Sequence, residues 1–124
     1  MTGRQFEDYV VRVLHEHGFW AHRIAPDESG QQPFDVIALK EDMSCVYDAK
    51  VLSIGKRFPF SRIEENQLNA FEVFQHKVWY TDIGCLIYHD GGIRYLGIDV
   101  IQNAIKNGVA SIDVRQLPVW VVPA

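Results

Sequence analysis

The sequence predicts an α/β domain with elements in the order α-β-β-β-α-β. Three observations carry this. Residues 3–17 place apolar side chains at helical spacing. Residues 34–39 and 45–52 are short apolar runs rich in β-branched and aromatic residues, joined by the polar Lys40, Glu41 and Asp42. Residues 61–76 return to helical spacing before two more strand-like runs.

The chain of 124 residues, 48% of them hydrophobic, corresponds to one domain spanning 1–124 with enough material for a core. A formal net charge of −4 excludes binding to nucleic acid through overall charge, so only a local cluster of cations could do so. Cys45 and Cys85 fall on separate predicted strands and form no ligand cluster, as expected of buried free thiols in a reducing cytosol. No apolar run approaches the roughly 20 residues of a membrane span, and no secretory signal opens the chain.

Thr2 with Gln5 forms a capping box for the first helix, and Gly18 is its stop. Phe6, Tyr9, Val10, Val13 and Leu14 make its apolar stripe. Glu7 falls at the edge of that stripe, where it is either an N-terminal acid favoured by the helix dipole or part of a site. His15 and His17 point to nearly opposite faces and are expected to be solvated. A strand over 19–25 follows, then a loop over 26–33 with turn residues throughout.

The next two strands hold the acids. Strand side chains alternate faces, so Asp48 and Lys50 share one side of the 45–52 strand. If that strand and 34–39 form an antiparallel hairpin, Asp35 comes alongside Asp48. Two such carboxylates repel each other, and a divalent cation relieves the repulsion. The pattern predicts a metal site with a lysine beside it.

From Lys50 to Arg62 the chain has four basic residues and no acidic one. Lys56, Arg57 and Arg62, interleaved with Phe58 and Phe60, suit either phosphate contact with base stacking or a solvated loop whose phenylalanines dock on the core. Ser61 with Glu64 predicts a capping box opening a helix to about His76. Its buried stripe is Ile63, Ala70, Phe71 and Phe74, and Gln67 lies inside it, where a buried amide needs partners. Strands are expected over 84–89 and 93–98, joined at Asp90, Gly91 and Gly92. Asp99 is the expected cap of a short helix to Lys106, ended by Asn107 and Gly108. Residues 119–122 form a last edge strand or a partner-facing segment beyond Pro118.

A helix with Glu7, a strand with Asp35, the Asp48-Ala49-Lys50 triplet and a helix with Gln67 together resemble the PD-(D/E)XK nuclease superfamily. Phe58-Pro59-Phe60 followed by Ile63 and Gln67 is similar to the RecU-type Holliday junction resolvases, in a compact and possibly phage-encoded form. The likeness covers residues 3–98. Relatives commonly carry Glu where Asp48 stands, and a longer protruding segment than residues 25–32.

The resemblance implies a mixed central β-sheet flanked by helices, the restriction-endonuclease-like core. It implies Asp35, Asp48, the Ala49 carbonyl and Glu7 as ligands of Mg²⁺, with Mn²⁺ as substitute. Lys50 would stabilise phosphorane charge or orient the attacking water, and Gln67 would orient a ligand. Arg4, Lys56, Arg57, Phe58 and Arg62 would contact DNA. The implied activity is the resolution of four-way junctions by paired nicks. The implied state is a cytoplasmic homodimer, with Phe19, Trp20, Trp79 and residues 119–122 as candidate interface. The alternatives are another nuclease of the superfamily, cutting duplex or flap DNA, and a non-catalytic DNA-binding scaffold.

Overall fold

The computed structural model describes residues 1–77 and 81–124. Helix α1 is Gly3–Glu16, and its Thr2/Gln5 capping box forms as the spacing requires. Strands β1 Trp20–Arg23, β2 Val36–Lys40 and β3 Met43–Val51 follow. Next come β4 Arg57–Pro59, α2 Glu65–Lys77, β5 Thr81–His89, β6 Gly92–Gly97, α3 Ile98–Lys106 and β7 Ser111–Asp113. Short 3₁₀ turns cover Phe60–Arg62 and Val114–Gln116.

The main sheet has the order β1-β2-β3-β5-β6. It is mixed: β3 and β5 run parallel, and the other neighbours are antiparallel. The parallel pair requires a long crossover, which β4 and α2 provide. The expected hairpin forms with Val36 opposite Tyr47 and Lys40 opposite Met43, leaving Glu41 and Asp42 as the turn. Continued by one residue, that register sets Asp35 against Asp48. Between β5 and β6 the turn falls on Asp90 (φ 50°) and Gly91 (φ 79°), two left-handed positions suited to a two-residue hairpin.

Both faces are covered. Phe6, Val10 and Leu14 of α1 pack with Ala21, Ala38, Cys45 and Tyr47. On the other face Phe71 of α2 meets Val46 and Ile83, and Ile101 and Ala104 of α3 meet Cys85, Ile87 and Leu96. Cys45 and Cys85 are buried and unpaired, as expected.

Several elements differ from expectation. The basic loop contains a strand, because β4 finds β7 some 54 residues away, with Phe58 opposite Ile112. Helix α2 begins at Glu65, with Ser61 inside the preceding 3₁₀ turn; the N-cap amide of Glu64 is satisfied by Gln67 instead. Gly97, not Asp99, caps α3. The tail lies along the edge of β6: Trp120 N donates to Ile93 O and Tyr95 N to Pro118 O, with one bridge between Arg94 and Val119. Of the candidate interface, Phe19 is buried, Trp20, Val119 and Val121 are exposed, and Trp79 lies outside the described residues. Among the described residues no helix is long and apolar enough to cross a membrane.

Candidate active site

Asp48 sits in the middle of β3 with a fully buried side chain, and Asp35 just before β2 is 5% exposed. Asp35 Oδ2 accepts the Ala49 amide at 2.7 Å, which ties the loop before β2 to β3. Gln67 Nε2 donates to Asp48 Oδ1 at 2.9 Å, while its own Oε1 caps the helix at Glu64 N. A single buried amide therefore serves both the helix start and the acid, which explains why it lies inside the apolar stripe. Lys50 Nζ lies 3.4 Å from Asp48 Oδ2. That oxygen accepts no hydrogen bond of good geometry, and the ammonium is the charged group that faces it.

Burial pushes the Asp48 carboxyl well above its ordinary range, and the neighbouring Asp35 carboxyl pushes it further, against the pull of Lys50. Glu7, half-buried on α1, is raised from 4.5 to about 7, first by burial and then by the Asp35 charge. Glu7 thus belongs to the same electrostatic site. Among the described residues no three His, Cys, Asp or Glu side chains form a metal-binding group. What converges is the Asp35–Asp48 pair, with Glu7 standing off.

The donor set fits a hard cation. It supplies buried oxygens, a like-charged pair and one oxygen without a donor, the features a divalent ion satisfies. Cavities of about 500 and 460 Å³ lie around Trp120 and one of about 480 Å³ lies beside Tyr9 and Arg12, none of them lined by Asp35 or Asp48. A phosphodiester backbone needs an open surface, so the acids mark the site better than cavity size does.

The proposed DNA contacts separate into three groups. Arg4 and Lys56 are exposed. Arg57 is exposed but held to Ser111, by Nε to Oγ at 2.9 Å and a terminal nitrogen to the carbonyl at 3.0 Å. Arg62 donates to Val51 O and lies over the Phe58 ring. Phe58 itself is fully buried, as is most of Phe60, which corrects the expectation of a base-stacking surface. Phe58→Ala is expected to destabilise the fold by about 3–5 kcal/mol, with DNA affinity falling only as the folded fraction falls. A denaturant melt beside a binding titration checks both.

Two partners of the acids were not visible as motifs. Gln32 Nε2 donates to Asp35 Oδ1, and Asn66 Nδ2 donates to Gln32 O at 3.0 Å. Gln32 is in a turn-rich loop and Asn66 in a helix start, so neither carries a periodic signal.

No family model matches the chain, and no curated protein does. Among solved structures the chain is similar to Hjc of Archaeoglobus fulgidus, a Holliday junction resolvase from an archaeal hyperthermophile. The TM-score is 0.59 at 15% identity, over 78% of this chain and 73% of that one. The two share a fold. At that identity the likeness is one of architecture, and it bears out the restriction-endonuclease-like core of a mixed sheet flanked by helices.

Glu7 also yields a pH prediction. With its value at 4.5 unfolded and about 7 folded, the folded state holds a proton that the unfolded state releases. The stability this contributes is complete below 4.5 and is lost as pH rises through 7. Glu7→Gln should therefore flatten part of the decline in melting temperature of the metal-free protein across that window. An unchanged decline would remove Glu7 from the site.

Proposed function

We propose that this chain is a metal-dependent endodeoxyribonuclease of the RecU type, resolving four-way DNA junctions in the cytosol by paired symmetric nicks as a homodimer. The observation that carries it is the buried Asp35–Asp48 pair with a donorless Asp48 oxygen 3.4 Å from Lys50. The shared fold with a Holliday junction resolvase supports the same reading.

Asp35, Asp48 and the Ala49 carbonyl would hold Mg²⁺ or Mn²⁺, with Glu7 completing the set directly or through water. Bound there, the cation would lower the pKa of an attacking water and polarise the scissile phosphate. The protein supplies the rest. Lys50 sets a positive charge beside Asp48, where negative charge grows on the phosphoryl oxygens. Gln67 keeps Asp48 in one orientation. A junction has two-fold symmetry and one chain has one site, so two cuts call for a C₂ pair.

The test is cleavage of a mobile four-way junction, a duplex and a flap, each with Mg²⁺ and with EDTA. The junction should be cut preferentially, symmetrically and only with metal, by a species that sediments as a dimer. A second reading, a nuclease of duplex or flap DNA, is favoured by the internal commitments of Arg57, Arg62 and Phe58 and by the short loop before Asp35. Equal cutting of duplex by a monomer would select it. A chain that binds no Mn²⁺ and cuts nothing would be a scaffold.

The contacts predict unequal salt effects. Lys56→Ala should reduce the slope of log affinity against log salt by about 0.9 per lost phosphate contact. Arg57→Ala should change it less, because Ser111 already takes two of its donor groups. An unchanged slope in both variants together would return the segment to a structural role.

A further inference from the structure

We propose that the first turn of α2 is a clamp that sets the spacing of the two site carboxylates, with Gln32 and Asn66 as positioning residues that tune cation affinity. This rests on the metal-site reading above and extends it to residues outside that site's ligands.

Each acid receives one side-chain amide on its Oδ1, from Gln32 for Asp35 and from Gln67 for Asp48. Both amides trace to consecutive residues of one helical turn. Gln67 reaches Asp48 itself, and Asn66 grips the backbone carbonyl of Gln32 at 3.0 Å. Successive helical residues point about 100° apart, so neighbours can serve acids that come from different segments, the loop before β2 and the middle of β3. The Gln67 amide has a fixed orientation, because its oxygen is engaged by Glu64 N.

Asp35 precedes β2 at the end of the turn-rich loop over 26–33, and without Gln32 its carboxylate would be held by the Ala49 amide alone, through one oxygen. With the Ala49 amide on Asp35 Oδ2, three of the four carboxylate oxygens have a donor, and Asp48 Oδ2 is the one left over. Neutral donors suit this task. They hold an ionised carboxylate in place without adding a positive charge that would repel a cation.

The first measurement uses metal-free protein. The Gln32 side-chain amide should resonate downfield of the exposed Gln116 amide, and Asp35→Asn or Asn66→Ala should move it back. The second is Mn²⁺ binding by calorimetry. Gln32→Met, which keeps volume but removes the donor, should weaken binding by about 10–100-fold. Asn66→Ala should weaken it less, and the double variant should be no worse than Gln32→Met, because Asn66 acts through Gln32. Asn66→Leu, which keeps the volume and loses the donor without adding charge, should behave as Asn66→Ala does. Wild-type affinity in Gln32→Met, or a Gln32 resonance coincident with Gln116, would overturn the clamp. If wild type binds no Mn²⁺, the metal reading fails, and the resonance alone decides whether the clamp stands.

Discussion

Asp48→Asn is expected to lower cleavage by on the order of 10³-fold or more, about 4 kcal/mol of transition-state stabilisation. The metal-free variant should nevertheless melt above wild type. Asp48 is fully buried beside Asp35, and both burial and that neighbour disfavour its charge. Asparagine keeps the oxygen that accepts from Gln67 and removes the charge. A core aspartate kept only for the fold should cost stability when replaced, whereas one kept for chemistry should release some. Nicking above a few per cent of wild type would remove Asp48 from the site. A lower melting temperature would return it to a structural role.

The acids were legible because strand periodicity and hairpin register are local. A hairpin between the two adjacent runs was enough to expect Asp35 alongside Asp48, and the two-residue turn at Glu41 and Asp42, shorter than the expected connection over 40–42, fixes the register. Glu7 was legible as an edge-of-stripe position for the same reason. Phe58 was not, because its burial depends on β7, contributed by the distant residues 111–113. A partial signal existed: buried Phe58 lies between exposed Arg57 and half-buried Pro59, the alternation of a strand that ends before Phe60. Aromatic and basic character outweighed that alternation in the sequence reading. The Ser61/Glu64 motif failed because a 3₁₀ turn intervenes and Gln67 serves the helix start at Glu64. Gln32 and Asn66 were invisible for a different reason. Amide donors in loops and helix starts have no preferred spacing, and only three-dimensional proximity marks them.

Lys50→Met should separate binding from chemistry. Its ammonium is 3.4 Å from an Asp48 oxygen, a long contact that acts on that acid mainly through charge. Its side chain is 18% exposed, open to a phosphate on the surface. Removing the charge should lower cleavage by about 10²–10³-fold, the scale of losing one stabilising group at a developing oxyanion. Two effects on cation binding oppose each other. Losing a nearby positive charge favours the cation, while losing the pull on Asp48 raises that carboxyl further and favours its proton. Mn²⁺ affinity at neutral pH should therefore stay within about tenfold of wild type, and saturating Mn²⁺ should not restore cleavage. Recovery of full activity at high Mn²⁺ would show that Lys50 acts only by keeping Asp48 ionised, and the stabilising role would fall.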